Sequence, residues 1–205
     1  DIRDAVEAAR AAEGWSTATA HHRAQVLYYI AENLAAREDE YVHRIGQMSG
    51  KSGKDAKAEF DLCVQRIYTY AAMCDKFDGN VHATPFRNVT LAMREPLGVI
   101  GIVAPEEAGL LGLISTVFPA IAMGNRVVVV PSLRYALLAT DFYQVLETSD
   151  LPGGVINIVT GERAPLIEDL AKHYDLEGLW CWSTPEHSKL VEENAAPTMK
   201  RTWVN

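Results

Sequence analysis

From Val99 onward the chain repeats one unit, a short apolar run and then a stretch of helical character, and few folds accommodate that alternation. Val99–Val103 is apolar except for one glycine, as suits a strand buried on both faces. Further strand-like segments at 127–130, 155–159, 179–182 and 201–204 follow, and helical stretches at 110–123, 135–147, 166–173 and 187–195 separate them. Turn signals punctuate the units: Gly124-Asn125, Pro152-Gly153-Gly154, Gly161 and Ala196-Pro197. Strands alternating with helices of this length predict a parallel sheet with right-handed crossovers. The expected fold class is therefore α/β, a Rossmann-like doubly wound parallel sheet of about five strands.

The residues before the sheet read differently. Val26, Leu27, Ile30, Ala31 and Leu34 form the stripe of an amphipathic helix, and Tyr41, Ile45 and Met48 continue it past a charged run. Phe60, Val64, Ile67, Tyr68 and Ala71 mark a second long helix, predicted to end near Asp78 and Gly79. Val89, Leu91 and Met93 alternate with Thr90, Ala92 and Arg94, as in a half-exposed strand. Two or three N-terminal helices and a short strand thus precede the sheet, all within a single domain over 1–205. The chain opens on Asp1 with a helix already under way and reads as a piece of a longer polypeptide.

Composition narrows the partners. The formal net charge is −8, and an acidic surface repels phosphate backbones and anionic lipid, so neither nucleic acid nor membrane is expected as a partner. No uncharged apolar run approaches the roughly 20 residues that span a bilayer, and no basic-then-apolar leader argues for secretion. Cys63, Cys74 and Cys181 are sparse, and the first two lie about three turns apart on one predicted helix, too far to bridge. A reducing, cytoplasmic setting is the expectation.

In open α/β sheets ligands bind at the carboxyl ends of the strands, here 104–107, 131–133, 160–163 and 183–186. These segments show no Cys, Lys or Ser–His pair poised as a nucleophile. Glu106 and Glu107 are adjacent, so in extended chain they point to opposite faces, which disfavours a shared-proton pair and favours a solvated acidic loop. Ser183 or Thr184 before Pro185 and Glu186 reads as a helix N-cap. Residues 46–52 imitate a phosphate-binding loop but follow a helix rather than a strand, so a turn between helices is the better explanation. The six histidines show no metal-ligand spacing, and Trp15, Trp180, Trp182 and Trp203 read as core or interface residues.

Three motifs resemble one family. Arg94-Glu95-Pro96-Leu97-Gly98-Val99-Ile100-Gly101-Ile102 followed by Pro105 resembles the start of the cofactor domain of aldehyde dehydrogenases. Phe118-Pro119-Ala120-Ile121-Ala122-Met123-Gly124-Asn125-Arg126-Val127-Val128-Val129-Val130-Pro131-Ser132 resembles that family's central strand motif, and Leu151-Pro152-Gly153-Gly154-Val155-Ile156-Asn157-Ile158-Val159-Thr160-Gly161 its next turn and strand. Gly14-Trp15, Arg23, Leu27 and Gly50-Lys51 fall at the family's usual relative places. The likeness implies a Rossmann-like domain of the kind that binds NAD(P) without the Gly-x-Gly-x-x-Gly fingerprint.

The resemblance also implies losses. Where the family continues Trp-Asn-Phe-Pro after Pro105, this chain has Glu106-Glu107-Ala108-Gly109, so Glu107 puts a negative charge where the oxyanion-stabilising amide belongs. Val130 stands in place of a Lys, and Leu133 in place of a Glu, that hold the adenosine ribose. Each such charged hydrogen bond contributes about 1.5–3 kcal/mol. Trp182 replaces a smaller side chain near the pyrophosphate path, and the general-base Glu falls on Asn205. No cysteine here occupies the nucleophile's place. Catalytic residues are thus expected to be none, with family positions lost at Glu107 and Asn205. The vestigial cofactor pocket comprises Val103, Pro105, Val130, Ser132, Gly161 and Ser183, and no cofactor is expected to bind tightly to this domain.

The pattern is similar to the degenerate C-terminal region of family-sixteen aldehyde dehydrogenases. The implied role is a non-catalytic, structural or assembly domain within a larger NAD-dependent aldehyde dehydrogenase, with the catalytic part of the same polypeptide or a partner subunit as its partner and a homo-oligomer, a dimer, as its assembly. Two alternatives stay open: the cofactor-binding part of an active NAD(P)-dependent enzyme oxidising aldehydes to carboxylic acids, and a free-standing binder of another ligand.

Overall fold

A computed structural model describes residues 1–77 and 79–205. Five helical segments come first: α1 (Ile2–Ala11), the single turn α2 (Gly14–Thr17), α3 (Ala20–Ala35), α4 (Glu38–Ser49) and α5 (Gly53–Met73). The last ends earlier than its apolar pattern suggests, and Asp78 lies outside the described residues. Polar caps set the starts of α3 and α5, since the Thr19 hydroxyl accepts the His22 amide and the Ser52 hydroxyl the Asp55 amide. Between α4 and α5, Gly50 takes φ +73°, so the phosphate-loop imitation is a left-handed helix stop followed by a cap.

A two-stranded antiparallel ribbon follows, β1 (Asn80–His82) with β2 (Thr90–Ala92). The expected half-exposed strand is β2; its partner β1 is too short to leave an alternating signature in the sequence. The main sheet then alternates β3 (Val99–Val103), α6 (Gly109–Ala122), β4 (Arg126–Val130), α7 (Ala136–Glu147), β5 (Ile156–Ile158), α8 (Arg163–Lys172), β6 (Gly178–Cys181), α9 (Pro185–Ala195) and β7 (Arg201–Val204). All pairings are parallel, in the order β5-β4-β3-β6-β7.

Period-two alternation divides the core. Ile100, Ile102, Val127 and Val129 pack with α3 to α7 on one face. Val99, Val103, Val128 and Val130 pack with α1, α8 and α9 on the other. With helices on both faces, β3 and β4 are buried along their whole length, which is why their apolar runs are continuous, whereas the edge strand β7 is mostly exposed. No helix among the described residues is long and apolar enough to cross a membrane.

The amino ends of the strands are fastened by polar side chains. Asn125 accepts the Leu97 and Gly98 amides at 2.6 and 3.1 Å and donates to the Ala120 carbonyl at 3.0 Å. Arg23 donates to the Ala122 carbonyl at the end of α6, and Arg126 to the Ala9 carbonyl near the end of α1. Both cations sit at helix C-termini, where unpaired carbonyls favour positive charge. Glu177 accepts the Val99 amide at 2.6 Å. Gly98, at φ +136°, lets that carboxylate approach, because a Cβ there would meet it at 2.5 Å.

Candidate functional site

The strand order reverses between β3 and β6: α6, after β3, packs on one face of the sheet and α9, after β6, on the other. The crevice between those two diverging connections is where an open α/β sheet receives a ligand. Among the expected pocket residues, Val103 and Val130 are the last residues of their strands and are 0% and 1% exposed. Both belong to the apolar cluster beneath α8 and α9. Ser132 is buried and donates to the Glu106 carbonyl at 2.9 Å. Pro105 follows β3 and lies against Gly112 of α6. Gly161 ends the β5 connection close to Leu166. Ser183 follows β6, its hydroxyl 2.7 Å from His187 Nδ1.

That last contact corrects the expectation of no Ser–His pair. Thr184 caps α9 by accepting the His187 amide at 3.3 Å, Pro185 opens the helix, and the first turn brings His187 back over Ser183. The pairing arises from the cap, which a scan of four short segments ending at residue 186 does not reach.

The larger correction concerns Glu106. It is not a solvated loop residue. Its carboxylate accepts the Arg134 amide at 2.9 Å and the Leu133 amide at 3.3 Å, and it pairs with the Arg163 guanidinium. Burial opposes its ionisation, but the Arg134 amide, the Arg163 charge and the Leu133 amide outweigh that and hold the carboxyl below its usual range. Glu107 is exposed, and with Glu106 it lies in a bend rather than in extended chain.

Arg163 is the residue that sequence reasoning missed. It is the first residue of α8, and its side chain is only 9% exposed. Its guanidinium donates to the Ala104 carbonyl at 2.8 Å and the Trp182 carbonyl at 3.2 Å, which are the ends of β3 and β6. Its Nε is buried with no partner among the described residues. One cation from the β5 connection therefore lies across the crevice and, with Glu106, ties the loops after β3, β4 and β6 together. A signal existed: a cation at a helix N-terminus opposes the helix dipole, so its charge calls for a partner elsewhere.

The remaining positions are structural or exposed. Leu133 is 52% exposed, so it is no buried replacement for a ribose ligand; its turn aims the amide at Glu106 and the side chain outward. Asn205 is exposed at the end of β7, its carbonyl accepting from Ser188. Lys200 does not approach a catalytic group. It donates to the Leu170 and His173 carbonyls at the end of α8, and burial brings its pKa down to about 8. Cys181 is buried at the end of β6, and burial pushes its thiol up to about 11. All three cysteines are free and buried. Trp180, Trp182 and Trp203 form an edge-to-face cluster with centroids 5.1–6.2 Å apart. Among the described residues, no group of three or more His, Cys, Asp or Glu side chains could hold a metal ion.

Comparison with known proteins agrees with this architecture. The chain is 29% identical over its whole length to the NADP/NAD-dependent aldehyde dehydrogenase PuuC of Escherichia coli, covering 42% of that protein. It is 30% identical to the mitochondrial 10-formyltetrahydrofolate dehydrogenase of Homo sapiens, with 98% of this chain matched to 23% of that one. The crystal structure of an NAD-dependent aldehyde dehydrogenase from Sinorhizobium meliloti superimposes with a TM-score of 0.94 at 26% identity, over 100% of this chain and 41% of that one. The chain thus spans less than half the length of these relatives. The sequence profile of the aldehyde dehydrogenase family matches residues 1–205, and the chain belongs to that family.

Proposed function

We propose that this chain is a non-catalytic member of its family, a structural or assembly domain of a larger NAD-dependent aldehyde dehydrogenase. One observation carries the reading: the crevice at the strand-order reversal is filled by the chain's own Arg163 and Glu106, bonded to the strand-end carbonyls and to the β4–α7 turn. A dinucleotide crossing that crevice would have to displace a buried guanidinium. It would gain no side-chain hydrogen bond from Val130 or Leu133 in return. The residues present do not fit NAD; the cofactor belongs to the parent's catalytic part. Glu107 in place of an amide and Asn205 in place of a base remove the oxyanion donor and the proton acceptor that the family's chemistry requires.

An assembly role suits the surface. On the β1–β2 ribbon Val81 and Leu91 are 76% and 55% exposed, and the neighbouring Val89 and Met93 are 78% and 76% exposed. Contiguous exposed apolar side chains of this kind mark contact surfaces. Strands β5 and β7 leave the sheet with two open edges. The partner in this reading is the catalytic part of the same polypeptide or a neighbouring subunit, in a cytoplasmic homodimer of the family-sixteen type. The test is to delete this region from the whole protein and measure oligomeric mass by light scattering alongside aldehyde oxidation. A fall in mass is expected. Unchanged mass and activity, or turnover of simple aldehydes by this chain alone, would defeat the reading.

A further inference from the structure

The amino end of the sheet carries a cavity of its own. Helix α6 leaves the carboxyl end of β3 and returns to the amino end of β4, so its last turns lie at the far end of the sheet from the crevice at the strand-order reversal. There Pro119 and Met123 of α6 and Tyr70 and Met73 of α5 enclose, with Phe77 and Arg94, a space of about 300 Å³. Phe77 precedes β1 and Arg94 follows β2, so the two chain segments at the base of the ribbon complete the walls. The Arg94 guanidinium lies over the Phe77 ring, 5.9 Å from its centroid.

A proline fixes one wall. Pro119, inside α6, has no N–H to return to the Ser115 carbonyl, and the Tyr70 hydroxyl donates to that carbonyl from α5 at 3.5 Å. Thr69, beside Tyr70, donates its hydroxyl to the Gln65 carbonyl of its own helix at 2.8 Å. The rest of the lining is dominated by two thioethers, the Phe77 ring and the Pro119 ring. Met73 and Phe77 are 40% and 50% exposed, so water wets apolar surface that a ligand tail would cover. Methionine side chains adapt to tails of different shape. Among the described lining residues Arg94 carries the one charge, and a guanidinium can present two N–H groups to a carboxylate.

We propose that this cavity binds an aliphatic monocarboxylate of medium chain length, with its tail among Met73, Phe77, Pro119 and Met123 and its carboxylate at Arg94. The volume lies at the low end of the roughly 300–1,000 Å³ of ligand pockets, which suits a single short chain. The site does not depend on the non-catalytic reading, because none of its lining residues belongs to the crevice.

The test titrates the full chain by calorimetry with butanoate, hexanoate and octanoate, and with octylammonium as the head-group control. Octanoate should saturate with a Kd of about 1 mM. Each added methylene should tighten binding by up to about fourfold. Octylammonium should bind at least about fivefold more weakly than octanoate, the contribution of one exposed charge pair. The protein's net charge of −8 would by itself favour the cation, so a preference for the anion reports Arg94. Arg94→Gln should erase that preference, and Met73→Trp, which fills the cavity from an exposed position, should abolish octanoate binding; circular dichroism checks that both fold. In the wild type, the methyl resonances of Met73 and Met123 should shift with octanoate while those of Met48 and Met199 stay fixed. No saturation by about 20 mM octanoate, equal affinity for octanoate and octylammonium, or a folded Met73→Trp with wild-type affinity would each overturn the site. Should a variant not fold, the wild-type methyl shifts decide, and fixed Met73 and Met123 resonances would overturn it.

Discussion

The two ends of the one parallel sheet have been treated differently. At the amino ends, Asn125, Arg23, Arg126 and Glu177 close hydrogen bonds between helix ends and strand starts, with Gly98 and Gly124 supplying positive φ where the chain turns. Several of these residues lie in the motifs that resemble the family. At the carboxyl ends Glu106 pairs with Arg163, which also holds the Ala104 and Trp182 carbonyls. Polar side chains at one end hold backbone segments to one another, and at the other end they hold the loops after β3, β4 and β6. A buried amide left unpaired is costly to folding, whereas a lost ligand contact is not.

That contrast can be broken most readily at Asn125. Asn125→Ala strands the Leu97 and Gly98 amides, while the Ala120 carbonyl keeps the residue-125 amide, and should cost about 3 kcal/mol in urea unfolding, since each buried unpaired group costs about 1–3 kcal/mol. A loss below about 1 kcal/mol would remove the amino-end argument. Gly98→Ala comes next, at about 2 kcal/mol, because φ +136° and contact with the Glu177 carboxylate both oppose a Cβ.

Titration separates the ends with smaller effects. Glu106 ionises more readily folded than unfolded, so its stabilisation is present at neutral pH and is lost as the pH falls from its ordinary pKa through its lowered one; Glu106→Gln should flatten that limb of the stability profile. Lys200 runs in the opposite sense. Its folded pKa of about 8 lies below its ordinary 10.5, so the unfolded chain holds the proton longer and stability should rise with pH between those values. Lys200→Met should abolish that rise, as read by thermal melts across the interval. The smallest effects belong to the exposed carboxyl-end side chains: Glu107→Gln and Leu133→Ala should each change stability by less than about 0.5 kcal/mol.

The sheet was legible from sequence because strands covered on both faces leave continuous apolar runs, and each expected strand lies within about a residue of its observed bounds. The three-residue β1 was not, since three exposed positions carry no periodicity. The site was legible only in part. The α9 cap followed from Thr184-Pro185. The Glu106–Arg163 pair spans 57 residues and depends on α8 starting where β3 and β6 diverge, so no local pattern announces it. Leu133 misled for a related reason, because its backbone amide rather than its side chain does the work at that turn.

The account turns on whether the crevice still takes a dinucleotide. NAD and NADP should be titrated separately into the protein, following Trp182 fluorescence and the heat of binding together. The account predicts no saturation by either up to several times the millimolar range, with Trp182 unchanged. Saturable binding below 1 mM, accompanied by quenching of Trp182 and lost on Val130→Trp, would contradict it.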